Sequence, residues 1–196
     1  MRATTATLVA AAAALFCAAT SQAATYIPSG TLSGSQEWTT AGSPYVIETT
    51  ATVGEGTTLT IDPGVVVKFE EANYGELFVI GSLVADGTST NKVTFTSYAD
   101  DSAGGDTNGD GSSSGSPGDW YGIFILDSGT GDFDHAIVRY GGYGEGISSY
   151  GGLQLQNYAE ATIDHSLFTD NEVGGVAVNG NATTATIQHS EFSYNG

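Results

Sequence analysis

The segment Ala161-Thr-Ile-Asp-His-Ser-Leu-Phe-Thr-Asp-Asn171 recurs 24 residues further on as Ala185-Thr-Ile-Gln-His-Ser-Glu-Phe-Ser-Tyr-Asn195. A looser copy, Phe133-Asp-His-Ala-Ile-Val-Arg-Tyr-Gly141, lies 30 residues upstream. We call these three segments the repeat motif. Self-similarity at a spacing of about 20–50 residues, without helical periodicity, is typical of stacked supersecondary units. Because the composition favours strands, each copy is predicted to belong to one coil of a β-solenoid.

Equivalent positions of the three copies carry side chains of the same kind. All three histidines of the chain share one position, and apolar residues share two others. We therefore expect Ile163 to lie beneath Ile187, and Phe168 beneath Phe192, in a continuous core. The three columns are Phe133, Ile163 and Ile187; Val138, Phe168 and Phe192; and His135, His165 and His189.

Short apolar segments continue the strand pattern from Tyr45 to Thr96. Gly, Pro-Gly or Asp-Gly separates them, and none shows the i, i+3, i+4 spacing of an amphipathic helix. The predicted fold is all-β, a parallel β-helix over residues 45–196. Residues 24–44 are polar around Trp38 and are predicted to form an irregular N-terminal cap. The predicted inward-facing residues are Leu59, Ile61, Val65, Val67, Phe69, Leu77, Val79, Leu83, Val93 and Phe95.

Residues 1–23 have the features of a secretory signal peptide. Arg2 supplies a positive start, Leu8 to Ala19 is an apolar run, and Ser21-Gln22-Ala23 is a cleavage site with small flanking residues. The mature protein is expected to begin at Ala24 and to be secreted, extracellular or at the cell surface. The apolar run is too short to span a bilayer, and no later stretch reaches the necessary ~20 residues, so no membrane insertion is expected.

The only cysteine, Cys17, lies inside this leader. A lipoprotein anchor at Cys17 is the alternative interpretation, and the bulky Phe16 before it argues against that. The exported domain is therefore expected to have no disulfide and no cysteine-based metal site.

The chain is strongly acidic, with 22 Asp and Glu against four Lys and Arg and a net charge of −18. After removal of the leader the cations are Lys68, Lys92 and Arg139. Phosphate binding needs clustered cations, so nucleic acid and anionic membrane surfaces are excluded as partners. Small cations are the partners that such a surface favours.

Four segments carry a family resemblance: Thr57-Thr-Leu-Thr-Ile-Asp-Pro-Gly-Val-Val-Val-Lys-Phe69, Leu83-Val-Ala-Asp-Gly-Thr88, Val93-Thr-Phe-Thr-Ser97 and Gly118-Asp-Trp-Tyr-Gly-Ile123. Together they resemble the bacterial secreted proteins with right-handed parallel β-helix repeats, the group that shares its fold with the pectate lyases. The resemblance runs from about Gly30 to the last residue. It implies a right-handed parallel β-helix outside the cell, and it implies no particular activity, because such modules serve many functions.

An acidic insertion, residues 98–119, interrupts the coils. Asp106-Thr-Asn-Gly-Asp-Gly111 matches the first half of an EF-hand loop, in which oxygens at positions 1, 3 and 5 converge and Gly at position 6 permits the turn. Position 12 would be Pro117, so other groups must complete the shell. We predict a weak Ca²⁺ site, and a solvated acidic spacer is the alternative. The predicted ligands are Asp106, Asn108, Asp110, Asp119, Asp100 and Asp101.

The histidine position has several interpretations. Neighbouring coils lie roughly 4.8 Å apart, so the rings are expected to stack as a structural ladder. A metal site and catalysis are the alternatives. Asp134 and Asp164 share a column and are an acid/base pair, a second calcium site or plain surface charge, and Gln188 replaces them in the last copy. Asn171 and Asn195 are expected to take the left-handed turn conformation.

The function predicted from these features is a non-catalytic, calcium-braced module of the cell surface or exterior. It would serve adhesion, surface display or glycan binding, with a polysaccharide or cell-surface glycan as partner. A polysaccharide lyase is the alternative, and its base would have to be Lys68, Lys92 or Arg139. A glycoside hydrolase is a further alternative, although the three histidines lack the Gly-His-Gly context of polygalacturonases. The tyrosines that suit sugar stacking are Tyr140, Tyr143, Tyr150, Tyr158 and Tyr194.

The last residue, Gly196, directly follows a copy of the repeat motif. No capping element covers the final coil in this sequence, and exposed strand edges invite association. We therefore expect a truncated C-terminus, with further domains of the same chain beyond it.

Overall fold

A computed structural model describes residues 23–144 and 150–196 of the chain. All but Ala23 of the predicted signal peptide, residues 1–23, lies outside this described part. Within it no helix has the length and apolar character of a membrane span. The regular elements of residues 23–144 and 150–196 are nineteen strands and one 3-10 turn, Thr40–Gly42. The strands are β1 (Thr25–Ile27), β2 (Gly30–Thr31), β3 (Gln36–Trp38), β4 (Tyr45–Ile47), β5 (Thr50–Val53), β6 (Thr58–Ile61), β7 (Val66–Phe69), β8 (Glu76–Val79), β9 (Ser82–Asp86), β10 (Val93–Ser97), β11 (Gly122–Ile125), β12 (Thr130–Asp134), β13 (Ala136–Arg139), β14 (Leu153–Gln156), β15 (Glu160–Asp164), β16 (Leu167–Thr169), β17 (Val176–Asn179), β18 (Thr184–Gln188) and β19 (Glu191–Ser193).

Every third strand joins the same sheet, and all pairs are parallel. Sheet A has the order β1-β4-β7-β10-β13-β16-β19, sheet B the order β17-β14-β11-β8-β5-β2, and sheet C the order β18-β15-β12-β9-β6-β3. One strand of each sheet makes one turn, so the chain winds about six times as a parallel β-solenoid. The predicted fold class is confirmed.

The repeat motif sets the register of the later coils. Ile163 pairs with Phe133 on one side and with Ile187 on the other. Phe168 lies likewise between Val138 and Phe192. The predicted stacking of these apolar columns is therefore confirmed.

The core runs along the axis of the solenoid. All ten residues predicted to face inward are at most 1% exposed, and they join one cluster that extends from Ile27 to Phe168. Burying each large apolar side chain contributes about 1.5–3 kcal/mol. The inward positions alternate along short strands, as in β6, where Leu59 and Ile61 are buried and Thr58 and Thr60 are half-buried.

The first coil begins at Thr25, well before the predicted boundary at Tyr45. Strands β1, β2 and β3 pair with β4, β5 and β6. Residues 24–44 therefore supply one strand to each sheet, where the sequence predicted an irregular N-terminal cap. Their apolar residues Ile27, Leu32 and Trp38 are single and widely spaced, yet each is at most 8% exposed. The Trp38 ring stacks on Tyr45 at 4.6 Å.

Asn171 and Asn195 form an inward ladder and do not take the left-handed conformation predicted for them. The residues before them do so, because Asp170 and Tyr194 both have φ of 54°. Asn171 is fully buried, and its Oδ1 accepts from the Gly141 N–H at 3.0 Å. Its Nδ2 donates to the Val138 carbonyl at 3.2 Å and to Asn195 Oδ1 at 2.9 Å. The asparagines thus satisfy backbone groups at the turn, where an unpaired buried group would be costly.

Candidate functional site

The acidic insertion covers sheet A. No strand lies between Ser97 and Gly122, and beneath this segment Lys68 is fully buried. Lys68 Nζ donates to the Gly105 carbonyl at 2.7 Å. Burial lowers the pKa of Lys68, while Asp100, Asp101 and Asp106 act in the opposite direction. Repulsion among the carboxylates of the insertion is therefore relieved in part by a cation from β7.

Arg139 supplies a second internal cation. Its Nη2 lies 2.5 Å from Asp100 Oδ2, which also accepts from Thr96 Oγ1 at 2.5 Å. Asp100 is 1% exposed. Burial acts to raise its pKa, but hydrogen bonds from Ser102 and Thr96 and the Arg139 charge outweigh this, so the pKa of Asp100 lies below its ordinary value. Asp100 thus anchors the insertion to sheet A.

Three of the predicted Ca²⁺ ligands come together. Oxygens of Asp101, Asp106 and Asp110 all lie within 4.8 Å of one another. Asp106 accepts from the Gly109 and Gly111 N–H groups at 2.7 and 3.2 Å. These bonds close the turn that the EF-hand spacing predicts.

The other ligands of the predicted set are arranged differently. Asn108 Nδ2 donates to Asp110 Oδ2 at 3.0 Å, so its amide already binds inside the loop. Asp119 accepts from the Ser116 N–H at 2.8 Å, and burial raises its pKa. Asp100 and Asp119 are not part of the three-carboxylate group. Asp101 keeps one free oxygen, because its buried Oδ1 has no hydrogen-bond partner.

The three histidines stack along the outer edge of sheet C. Ring centroids of His135 and His165, and of His165 and His189, are 4.8 Å apart and nearly parallel. The predicted stacking is confirmed. The column lies on the outside of the solenoid, since the side chains are 21%, 48% and 65% exposed in chain order. Each histidine holds a left-handed backbone with φ of 43–49°.

Aspartate side chains lie next to the three histidine rings. Asp134 pairs in register with Asp164, as the shared column predicts, and on its other side with Asp86. Asp164 Oδ1 and His189 Nδ1 form a hydrogen bond of 2.9 Å, and His165 Nδ1 lies 3.1 Å from the same oxygen. These contacts, led by the bond to His189, hold the pKa of Asp164 below its ordinary value.

An aromatic and amide surface on the outer face of sheet B was missed by the sequence analysis. Phe124 packs edge-on against Phe78 at 5.4 Å and against Tyr150 at 6.1 Å. Beside them is a cavity of about 310 Å³. Its lining residue Gln154 is 2% exposed, and Gln154 Oε1 has no hydrogen-bond partner. The cavity is lined by Tyr150, Gln154, Gln156, Asn157, Asn179 and Gly180.

The remaining tyrosines proposed for sugar stacking are dispersed. Tyr143 stacks on Tyr74 at 4.2 Å, and the Arg139 guanidinium lies 5.4 Å from the Tyr140 ring. Tyr158 and Tyr194 are 56% and 85% exposed. Of the five predicted tyrosines, Tyr150 is the one that lines the sheet B cavity.

Comparisons with protein-family models, curated proteins and solved structures find no match for this chain. The supported likeness is therefore the coarse one, to parallel β-solenoid repeat proteins.

Proposed function

We propose that this chain is a secreted or cell-surface β-solenoid module that binds a neutral glycan on sheet B without transforming it. The observation that carries the proposal is Gln154, a buried amide with a free Oε1 in a cavity beside Tyr150. A buried polar group without a partner is costly, so a ligand hydroxyl that donates to Gln154 would be stabilising.

The rest of the cavity suits a sugar. Tyr150 offers an aromatic body with a polar tip, and Gln156, Asn157 and Asn179 offer amides that both donate and accept. Ligand sites combine an apolar wall with a few placed polar groups in this way. The net charge of −18 repels polyuronates and favours a neutral glycan.

Two of the three candidate lyase bases are engaged in other contacts. Lys68 is buried against the Gly105 carbonyl, and Arg139 pairs with Asp100. A binding role is therefore better supported than the lyase alternative. We further infer a right-handed helix of the pectate-lyase-like group, because crossovers between parallel strands of one sheet are right-handed in about 98% of cases.

Calcium is proposed as a brace of the insertion, with Asp101, Asp106 and Asp110 as ligands. The free Oδ1 of Asp101 and the convergence of three carboxylates support this assignment. Hard cations prefer such oxygens, and water or carbonyl groups would fill the remaining positions. With only three side-chain ligands the affinity should be in the ~10⁻⁴–10⁻³ M range of extracellular modules.

Affinity electrophoresis tests the glycan proposal. We expect a neutral polysaccharide among dextran, xyloglucan, galactomannan and arabinoxylan to retard the protein, and polygalacturonate to have no effect. Tyr150→Ala and Gln154→Leu should each abolish the retardation, while Tyr194→Ala, a change at an exposed tyrosine outside the cavity, should not. Retention by none of the neutral polymers, or unchanged retention of Tyr150→Ala, would overturn the proposal. Release of unsaturated or reducing sugar ends would overturn its non-catalytic part.

A thermal melt tests the calcium brace. Ca²⁺ that binds only the folded state raises Tm by mass action. Millimolar CaCl₂ should raise Tm of the parent protein and leave Tm of the Asp106→Ala, Asp110→Ala double variant unchanged. Buried Trp120, next to Asp119, provides a fluorescence signal for the same titration. Equal responses of parent and variant would exclude the site.

A further inference from the structure

The histidine column contains a contact that stacking alone does not explain. Asp134 Oδ1 and His135 Nδ1 are 2.7 Å apart, yet both atoms are buried and neither makes a hydrogen bond. His165 Nδ1 lies 3.7 Å from the same Asp134 oxygen. The next coil differs, because there Asp164 is hydrogen-bonded to His189. Two facing polar atoms at this distance need either a shared proton or a cation that both atoms bind.

We propose that Asp134, His135 and His165 bind a divalent transition-metal ion of the Zn²⁺ class. Their ligand atoms all lie within 4.8 Å of one another. Bonds of about 2.0–2.2 Å in a tetrahedron place ligand atoms roughly 3.3 Å apart, and the two Asp134 distances of 2.7 and 3.7 Å bracket this value. Two imidazoles and one carboxylate leave a fourth position for water. This site is independent of the proposed glycan surface.

The chemistry of the donors separates this site from the calcium brace. Imidazole nitrogen suits Zn²⁺, Cu²⁺ and Ni²⁺, whereas Ca²⁺ prefers oxygen ligands. The two sites should therefore select different ions in the same molecule.

Binding requires one ring to move. The His135 and His165 rings are 7° from parallel, and a metal lies in the plane of each imidazole that binds it, so His165 must rotate out of the stack. Its side chain is 48% exposed, and the rotation would exchange its contacts with the neighbouring rings and with Asp164 for a bond to the metal. His135 is 21% exposed and stays more firmly placed. Because His165 also belongs to the group with Asp164 and His189, the column should hold one ion at a time.

Zinc titration of the full chain, prepared without a histidine tag, tests the proposal against a chromophoric chelator. We expect one equivalent of Zn²⁺ to bind, and His135→Asn and His165→Asn each to weaken binding at least tenfold. His189→Asn is the matched control from the same column and should change affinity less than threefold. The Asp106→Ala, Asp110→Ala variant should bind Zn²⁺ like the parent protein.

Histidine NMR of the parent protein keeps the test independent of how the variants fold. The chain has three histidines, all in this column, so the imidazole signals report on no other site. One equivalent of Zn²⁺ should shift the signals of His135 and His165 more than those of His189. Absence of shifts, or a dominant shift at His189 with loss of binding in His189→Asn alone, would overturn the assignment.

Discussion

The inner and outer faces of the repeat motif carry side chains that repeat at the same spacing. The inner side chains are buried and hydrogen-bonded, whereas the outer side chains are partly exposed. On the inside, Asn171 donates to and accepts from neighbouring coils through its amide and backbone. On the outside, His165 stacks on its neighbours with its side chain about half exposed. The inner column pairs its polar groups in hydrogen bonds, whereas in the outer column the buried Asp134 Oδ1 lies 2.7 Å from His135 Nδ1 without a hydrogen bond. Sequence repetition alone therefore does not distinguish a structural ladder of side chains from a site that can bind a ligand.

The largest expected effect comes from a charge placed inside. Ile163→Asp should destabilise the protein by more than about 4 kcal/mol, because an unpaired carboxylate would enter the core. Ile187 has the same place in the next copy but is 44% exposed, so Ile187→Asp should destabilise much less. Urea unfolding of both variants measures the contrast. Similar losses of stability would mean that Ile187 is as deeply buried as Ile163.

Removal of the inner ladder should have the next largest effect. Asn171→Ala leaves the Gly141 N–H and the Val138 carbonyl without their partner, and we expect a loss of about 2–4 kcal/mol in the free energy of unfolding. Asn171→Asp keeps the acceptor for Gly141 but loses the donor to Val138. The denaturant midpoint of the parent protein should therefore be higher than that of Asn171→Asp. A change below about 0.5 kcal/mol for Asn171→Ala would refute the structural role of the ladder.

The buried ion pair beneath the insertion should show its contribution through pH. The pKa of Asp100 is lowered from 3.8 in the folded protein, so its stabilisation is present above about pH 4 and is lost as pH falls through the folded value. Asp100→Asn should destabilise by about 1–3 kcal/mol at pH 7, because Arg139 loses its partner. The difference from the parent protein should narrow below pH 4. A constant difference from pH 7 to pH 2.5 would contradict the ion-pair account.

The smallest effect on stability is expected on the outer face. His165→Asn should change the free energy of unfolding by no more than about 0.5 kcal/mol without added metal, since Asn tolerates the left-handed backbone and the ring is half exposed. His165→Val, with a β-branched side chain at positive φ, is a contrasting variant that should destabilise more. Equal and large losses from both changes would show that the ring stack itself holds the coils together.

The architecture could be predicted because its determinants are local and repeated. Alternation in short strands identified the inward residues, and the repeat motif placed Ile163 and Phe168 in register. The first coil was missed because its apolar residues are isolated, and only pairing with β4–β6 shows that they are strand residues. Long-range pairing of this kind has no periodic signal in a single coil.

The candidate sites were predictable only in part. The Asp106–Gly111 turn forms because Asx-type hydrogen bonds are local. The ion pair between Asp100 and Arg139, which keeps Asp100 out of the calcium site, was not predictable, since these residues are 39 positions apart in the sequence. The burial of Lys68 was not predictable either, because its outward-facing strand position is covered by Gly105, 37 residues later in the sequence. The Gln154 cavity also depends on neighbours from separate coils.

The 24-residue spacing has a consequence for length. Residues 172–195 contain one strand for each sheet, β17, β18 and β19, and their register continues that of the coil before. In-frame duplication of this segment should therefore lengthen the molecule by one step of about 4.8 Å and leave its cross-section unchanged. Each duplication would also add one imidazole to the outer column. The number of such repeats in the gene would therefore set the length of the protein in steps of one coil, and the core residues would not have to change.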